Sequence, residues 1–182
     1  MATIKKSKVT VSFLGIIGIL LIAVWLLVST TPAVAKKEKV KTRNVSQITK
    51  MHVIKVGDVD GHIIAVYERR GLAFYVDGEV GTYLNRGMFD MTKGKGTAQG
   101  YVTHTFEDGS TTNSTWQGTI APREGKRLTA EGTFTYIGGS GRFEGIEGGG
   151  SWTAKSFTPY SKEETKSDLI TDVTGTRTLP KK

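Results

Sequence analysis

The chain has 182 residues and a formal charge of +8, with 37 % hydrophobic and 23 % charged residues, a length that suits one domain. The absence of cysteine rules out disulfide frameworks, thiol nucleophiles, Cys-ligated zinc and iron–sulfur clusters. Four prolines and six tyrosines do not suit a disordered chain, and the compositional outlier is glycine, at 23 residues.

Residues 1–35 read as an export signal. Lys5, Lys6 and Lys8 form a positive n-region, and residues 9–28 are apolar except for Thr10 and Ser12. Pro32 and then Ala33-Val34-Ala35 supply a helix breaker and an A-x-A cleavage pattern. The alternative is an uncleaved N-terminal membrane anchor. The run is close to the roughly 20 residues that span a bilayer, whereas a signal h-region takes about 7–15. Either reading places the remainder outside the cytoplasm, periplasmic or extracellular. Residues 36–47 (KKEKVKTRNVSQ) are basic and polar without periodicity, and read as a solvated linker. Beside a retained anchor, such a cluster also suits anionic lipid headgroups.

From residue 48 to 178 the periodicity is two, interrupted by glycine-bearing breaks, which is a strand-and-turn pattern. The expected strands are 51–56, 63–67, 72–76, 82–90, 97–106, 110–120, 128–137, 150–157 and 169–178, followed by a short basic tail at 179–182. Asp108-Gly109 is a strong hairpin signal. The last strand is placed to close a sheet on an early one. Eighteen of the glycines fall between Gly71 and Gly150, several of them inside strands (Gly100, Gly118, Gly132, Gly145). Glycines there mark the sharp bends of coiled barrel strands. The fold expected is all-β: one closed antiparallel barrel of about eight strands. One face gathers Trp116, Gly118 and Ile120, then Leu128, Ala130, Gly132, Phe134 and Tyr136, then Gly150, Trp152, Ala154 and Ser156. The other face is rich in threonine, as a half-buried sheet requires.

Residues 134–148, Phe-Thr-Tyr-Ile-Gly-Gly-Ser-Gly-Arg-Phe-Glu-Gly-Ile-Glu-Gly, resemble the strand–turn–strand signature of the allene oxide cyclase-like and dirigent-like barrels, G-G-[ST]-G-x-F-x-G-x-x-G. Gly138, Gly139, Ser140, Gly141, Phe143, Gly145 and Gly148 fill its positions. The motif is turn chemistry: its glycines allow positive φ and close backbone approach, and Phe143 plugs the core. The resemblance implies an interior for a small apolar or aromatic molecule. The cyclases of that family convert a polyunsaturated fatty-acid epoxide by confinement, and the dirigent proteins guide radical coupling. No catalytic residue of the family is carried onto this chain.

Six residues are candidates for a ligand-binding interior: His104, Phe106, Trp116, Phe134, Tyr136 and Trp152. His104 alternates with Val102 and Phe106 and would be the polar orienting group, or a proton shuttle in an enzyme. His52 and His62 form no metal-binding spacing, and no cofactor is implied. Glu68-Arg69-Arg70 and Arg142 with Glu144 read as solvated charge at strand ends. Asn113-Ser114-Thr115 fits the N-glycosylation sequon. The cations are scattered without interleaved aromatics, which argues against a nucleic-acid partner. Three functions follow. The first is an exported barrel binding a small hydrophobic or aromatic molecule without catalysis. The second is a cyclase or isomerase acting by confinement. The third is a structural or interaction barrel with a filled core, open to homo-oligomerisation.

Overall fold

A computed structural model describes residues 36–157, 159 and 168–180; the export or anchor segment at 1–35 lies outside the described residues. Eight strands follow one another: β1 Lys36–Lys55, β2 His62–Tyr75, β3 Val80–Thr92, β4 Lys95–Thr105, β5 Thr111–Arg123, β6 Arg127–Ser140, β7 Glu147–Ser156 and β8 Leu169–Leu179. Each is antiparallel to its neighbours, and β8 pairs with β1 to close the barrel, as the sequence pattern predicts. One register row runs from Met51 through Tyr67, Gly87, Gly100, Trp116, Phe134, Gly150 and Gly175, and returns to β1 at Val40. That stagger is what the tilt of strands in a closed barrel demands.

Two expectations about the strands fail. Residues 36–47 are not a linker but the first half of β1, paired with β8 from Lys36↔Leu179 to Ser46↔Leu169. Their inward residues, Val40, Thr42, Asn44 and Ser46, are buried and mostly polar, so the alternation carries no hydropathy signal. The stretches 63–67 and 72–76 are one strand, β2. Gly71 sits in mid-strand rather than in a turn, because a Cβ there would lie 1.9 Å from the Val45 carbonyl oxygen of β1. In β1 the register shifts between Ile48 and Lys50, so Ile48 and Met51 both face the interior although three residues apart.

The middle of the barrel is packed by two indoles, each over a pair of glycines. Gly87, Gly100 and Trp116 are register partners on β3, β4 and β5, and Gly118, Gly132 and Trp152 on β5, β6 and β7. A Cβ would come within 2.8–2.9 Å of Trp116 at the first glycine pair and 2.6–2.7 Å of Trp152 at the second. The two indoles meet edge to face at 5.5 Å. Towards the open ends of β2–β5, Ala65, Phe89, Met91 and Ala98 pack with Ile63 and Ile120.

The opposite end is plugged. Phe106, Phe143 and Ile146 are buried there against Tyr75, Tyr136 and Leu179. The chain reaches this position through Gly138 at φ 148°, a 3-10 turn at Gly141–Phe143 with Gly141 at φ 61°, and Gly145 at φ 74°. Gly139 is needed for a different reason: its Cβ would lie 2.6 Å from the carbonyl oxygens of Thr111 and Phe143. Ser140 shares a hydroxyl hydrogen bond of 2.8 Å with Thr111. Arg142 is not simply solvated, as the sequence suggests. Its guanidinium stacks on Phe106 and Phe143 at 4.8 and 4.7 Å and pairs with Glu79 and Asp108.

Phe143, 2 % exposed, is therefore the residue whose truncation opens the plug. Phe143→Ala should lower unfolding free energy by about 3–5 kcal/mol, read from denaturant melts. A second prediction concerns His62, whose Nδ1 and Nε2 lie 2.6 Å from Asp58 and 2.8 Å from Asp90. Asp90, then Asp58, raise its pKa in the fold. The imidazolium's stabilisation is thus full below the unfolded value of about 6.5 and fades as pH rises through the raised one. Wild type should exceed His62→Gln in denaturant midpoint by more at pH 5.5 than at pH 8.5.

Candidate functional site

The barrel encloses a cavity of about 150 Å³ whose lining extends from Tyr75 and Tyr136 at the plug to Leu128, Ser156 and Leu169 at the other end. Its wall has two characters. Trp116, Phe134, Trp152, Ala130, Ala154 and Val173, from β5 to β8, make it apolar and aromatic on one side. On the other, β1 to β5 contribute Thr42, Asn44, Arg69, Tyr83, Asn85, His104, Thr112 and Ser114. Strand alternation places all of these inward.

The polar side is partly self-satisfied. Trp116 Nε1 donates to Asn85 Oδ1 at 3.1 Å, and Asn85 Nδ2 donates to the Tyr83 hydroxyl oxygen at 2.9 Å. Arg69, 8 % exposed, lies with its guanidinium 5.6 Å from the Tyr67 ring. Burial lowers its pKa from the usual arginine value. Burial also pushes the phenol of Tyr83 up to about 12 and those of Tyr67 and Tyr75 higher, so all three remain hydroxyl donors.

His104 is the pivot of this wall. Its ring lies 5.6 Å from that of Tyr83 and edge to face with Tyr75, and its Nδ1 is 2.5 Å from the Tyr75 hydroxyl. Desolvation brings its pKa down to about 4, so the imidazole is neutral at pH 7. With the protonated Tyr75 phenol as donor to Nδ1, the ring proton sits on Nε2. That atom is buried with no hydrogen-bond partner, as are Asn44 Oδ1 and Ser46 Oγ. Buried polar groups without partners cost about 1–3 kcal/mol each, and two of these residues, His104 and Asn44, line the cavity.

Of the residues singled out from sequence, His104, Trp116, Phe134, Tyr136 and Trp152 meet at the cavity. Phe106 does not; it belongs to the plug. Trp152 Nε1 donates to the Thr133 carbonyl at 3.1 Å, which leaves its ring face for packing. Arg69, read from sequence as solvated, points inward, while its neighbours Glu68 and Arg70 share the outer face, 2.9 Å apart. Asn113 also lies outside, accepting from Thr103 Oγ1 at 2.8 Å. The polar wall of Thr42, Asn44, Tyr83 and Asn85 escapes a search for apolar alternation. Arg69 was findable, since continuing the period of two through Gly71 puts Ala65, Tyr67, Arg69 and Ala73 on one face.

The structure is similar to that of the pterocarpan synthase dirigent protein GePTS1, at a TM-score of 0.47 and 13 % sequence identity, covering 84 % of this chain and 97 % of that one. It is similar likewise to the pterocarpan synthase dirigent protein PsPTS1, at 0.45 and 14 %, covering 81 % and 97 %. No protein-family model and no curated protein matches the chain.

The depressed His104 pKa has a measurable sign. The unfolded imidazole takes up its proton near pH 6.5 and the folded one only near 4, so protons favour unfolding across that window. Wild type should lose stability relative to His104→Phe as pH falls from 6.5 to 4.5. The His104 ring signals in NMR should show no titration above pH 5.

Proposed function

We propose that this barrel is an exported binding protein for one small aromatic or apolar molecule bearing an oxygen, and that it binds without catalysing. The observation that carries this reading is the unpartnered His104 Nε2, set in a cavity whose far wall is Trp116, Phe134 and Trp152. A ligand oxygen accepts from Nε2, a ligand hydroxyl donates to Asn44 Oδ1, and the ring packs against the indoles, where aromatic contacts add about 0.5–1.5 kcal/mol beyond burial. The size of the cavity sets the size of the guest. An apolar cavity of about 150 Å³ takes a benzene, whereas drug-sized ligands need about 300 Å³ or more. A long polyunsaturated chain exceeds that space. A histidine titrating near 4 is also a poor proton acceptor at pH 7, which weighs against the cyclase reading. The placement outside the cytoplasm rests on residues 5–35 of the sequence.

Calorimetry and thermal melts with phenol, benzyl alcohol and toluene test this. Phenol and benzyl alcohol should bind and raise the melting temperature more than toluene, and His104→Phe should remove the difference. Ala130→Leu, which puts three extra carbons into the cavity, should abolish binding of all three while leaving the barrel folded. Failure of all three to bind wild type, with a ligand-free mass in native mass spectrometry, would overturn the reading in favour of a filled core.

A further inference from the structure

Pairing of β1 with β8 does more than close the barrel: it arrays the basic stretch of β1 on the outer surface. Lys37, Lys39, Lys41 and Arg43 alternate with the buried Val40 and Thr42 and form one exposed column. Arg43 is held by Asp172 at 2.7 and 3.1 Å, whereas Lys37, Lys39 and Lys41 have no ion pair among the described residues. The adjacent strand turns apolar side chains to solvent. Leu72, Phe74 and Val76 are 45 %, 43 % and 72 % exposed, and Val45 and Val80 flank them at 42 % and 44 %. Register locks the two sets together: Val45 faces Leu72, Arg43 faces Phe74, Phe74 faces Val80, and the Val76 amide donates to the Lys41 carbonyl at 3.2 Å. The acids at the nearby hairpin are engaged, Glu79 with Arg142 and Asp77 with the Glu79 amide.

We propose that this face of β1 and β2 docks on an anionic lipid bilayer, its lysines against the headgroups and Leu72, Phe74 and Val76 at the acyl boundary. Cations bordering exposed apolar side chains are the composition that binds such an interface. The chain outside the described barrel supports the same occupant. Only residues 29–35 separate the apolar run at 9–28 from β1, and seven residues reach at most about 25 Å. A retained anchor therefore keeps Lys37 close to a bilayer, and a cleaved one leaves a barrel that still carries the surface. This inference is independent of the cavity's contents.

All eight strands and the closing pair lie from Lys36 onward, so residues 36–182 test the barrel without its apolar segment. The chain has no cysteine, and a single Val76→Cys variant carries an environment-sensitive fluorophore on the proposed face. Vesicles of 30 % phosphatidylglycerol in phosphatidylcholine should sediment with the protein and blue-shift the probe, and pure phosphatidylcholine should do neither. At about five-fold per lysine, Lys37→Gln/Lys39→Gln/Lys41→Gln should weaken the partition on the order of 100-fold. An equal exchange of Lys55, Lys93 and Lys95 at the far end should leave it within a few-fold. Equal losses for both triple variants, or no association with anionic vesicles, would overturn the proposal. So would a blue shift that grows with protein concentration in the absence of vesicles, which would assign the face to a second copy of the chain.

Discussion

The structure depends on two indoles lying where no side chain stands opposite them. Eight strands enclose an interior only just wide enough to fill with side chains. Trp116 and Trp152 occupy its centre because Gly87 and Gly100, then Gly118 and Gly132, present bare backbone beneath them. The same packing shapes the site. Trp116 uses its ring on the glycines and its Nε1 on Asn85, which in turn fixes the Tyr83 hydroxyl. A residue that fills the core thus also orients the first members of the polar wall, and the space left between the two tryptophans and β1–β3 is the cavity.

The glycine motif at 138–148 belongs to a different task. It carries Phe143 under the barrel end and leaves Arg142 above it, where the guanidinium covers two phenylalanine rings and meets two carboxylates. Arg177 repeats the arrangement from β8, 5.1 Å from the Phe143 ring and 2.9 Å from Glu38. Stacked and paired cations close this end without the bulk that a wholly apolar lid would require. The motif therefore speaks to architecture, and the chemistry of the interior has to be read elsewhere.

Architecture was the more legible part of the sequence. The alternation of Trp116, Phe134 and Trp152 with glycine and alanine identifies the apolar wall, because large and small residues sharing a strand face have few other uses. Asp108-Gly109 forms the expected hairpin, with Gly109 at φ 78° and Phe106 and Ser110 hydrogen-bonded across it. The polar half was hidden for a physical reason. Thr42, Asn44 and Ser46 alternate with Lys41, Arg43 and Val45, so inside and outside differ little in hydropathy. Arg69 was obscured by Gly71, which imitates a turn in sequence and in the fold serves a close approach of two strands.

Closure of the barrel by its first and last strands has a consequence for how the chain acquires its structure. The side-chain pairs Arg43–Asp172 and Glu38–Arg177 join residues 129 and 139 apart in sequence. Contacts of such high contact order form late and slowly. A nascent chain lacking β8 exposes the unpaired edges of both β1 and β7, and open edges recruit strands from other molecules. The last strand thus covers two edges at once, since β8 pairs with both β1 and β7.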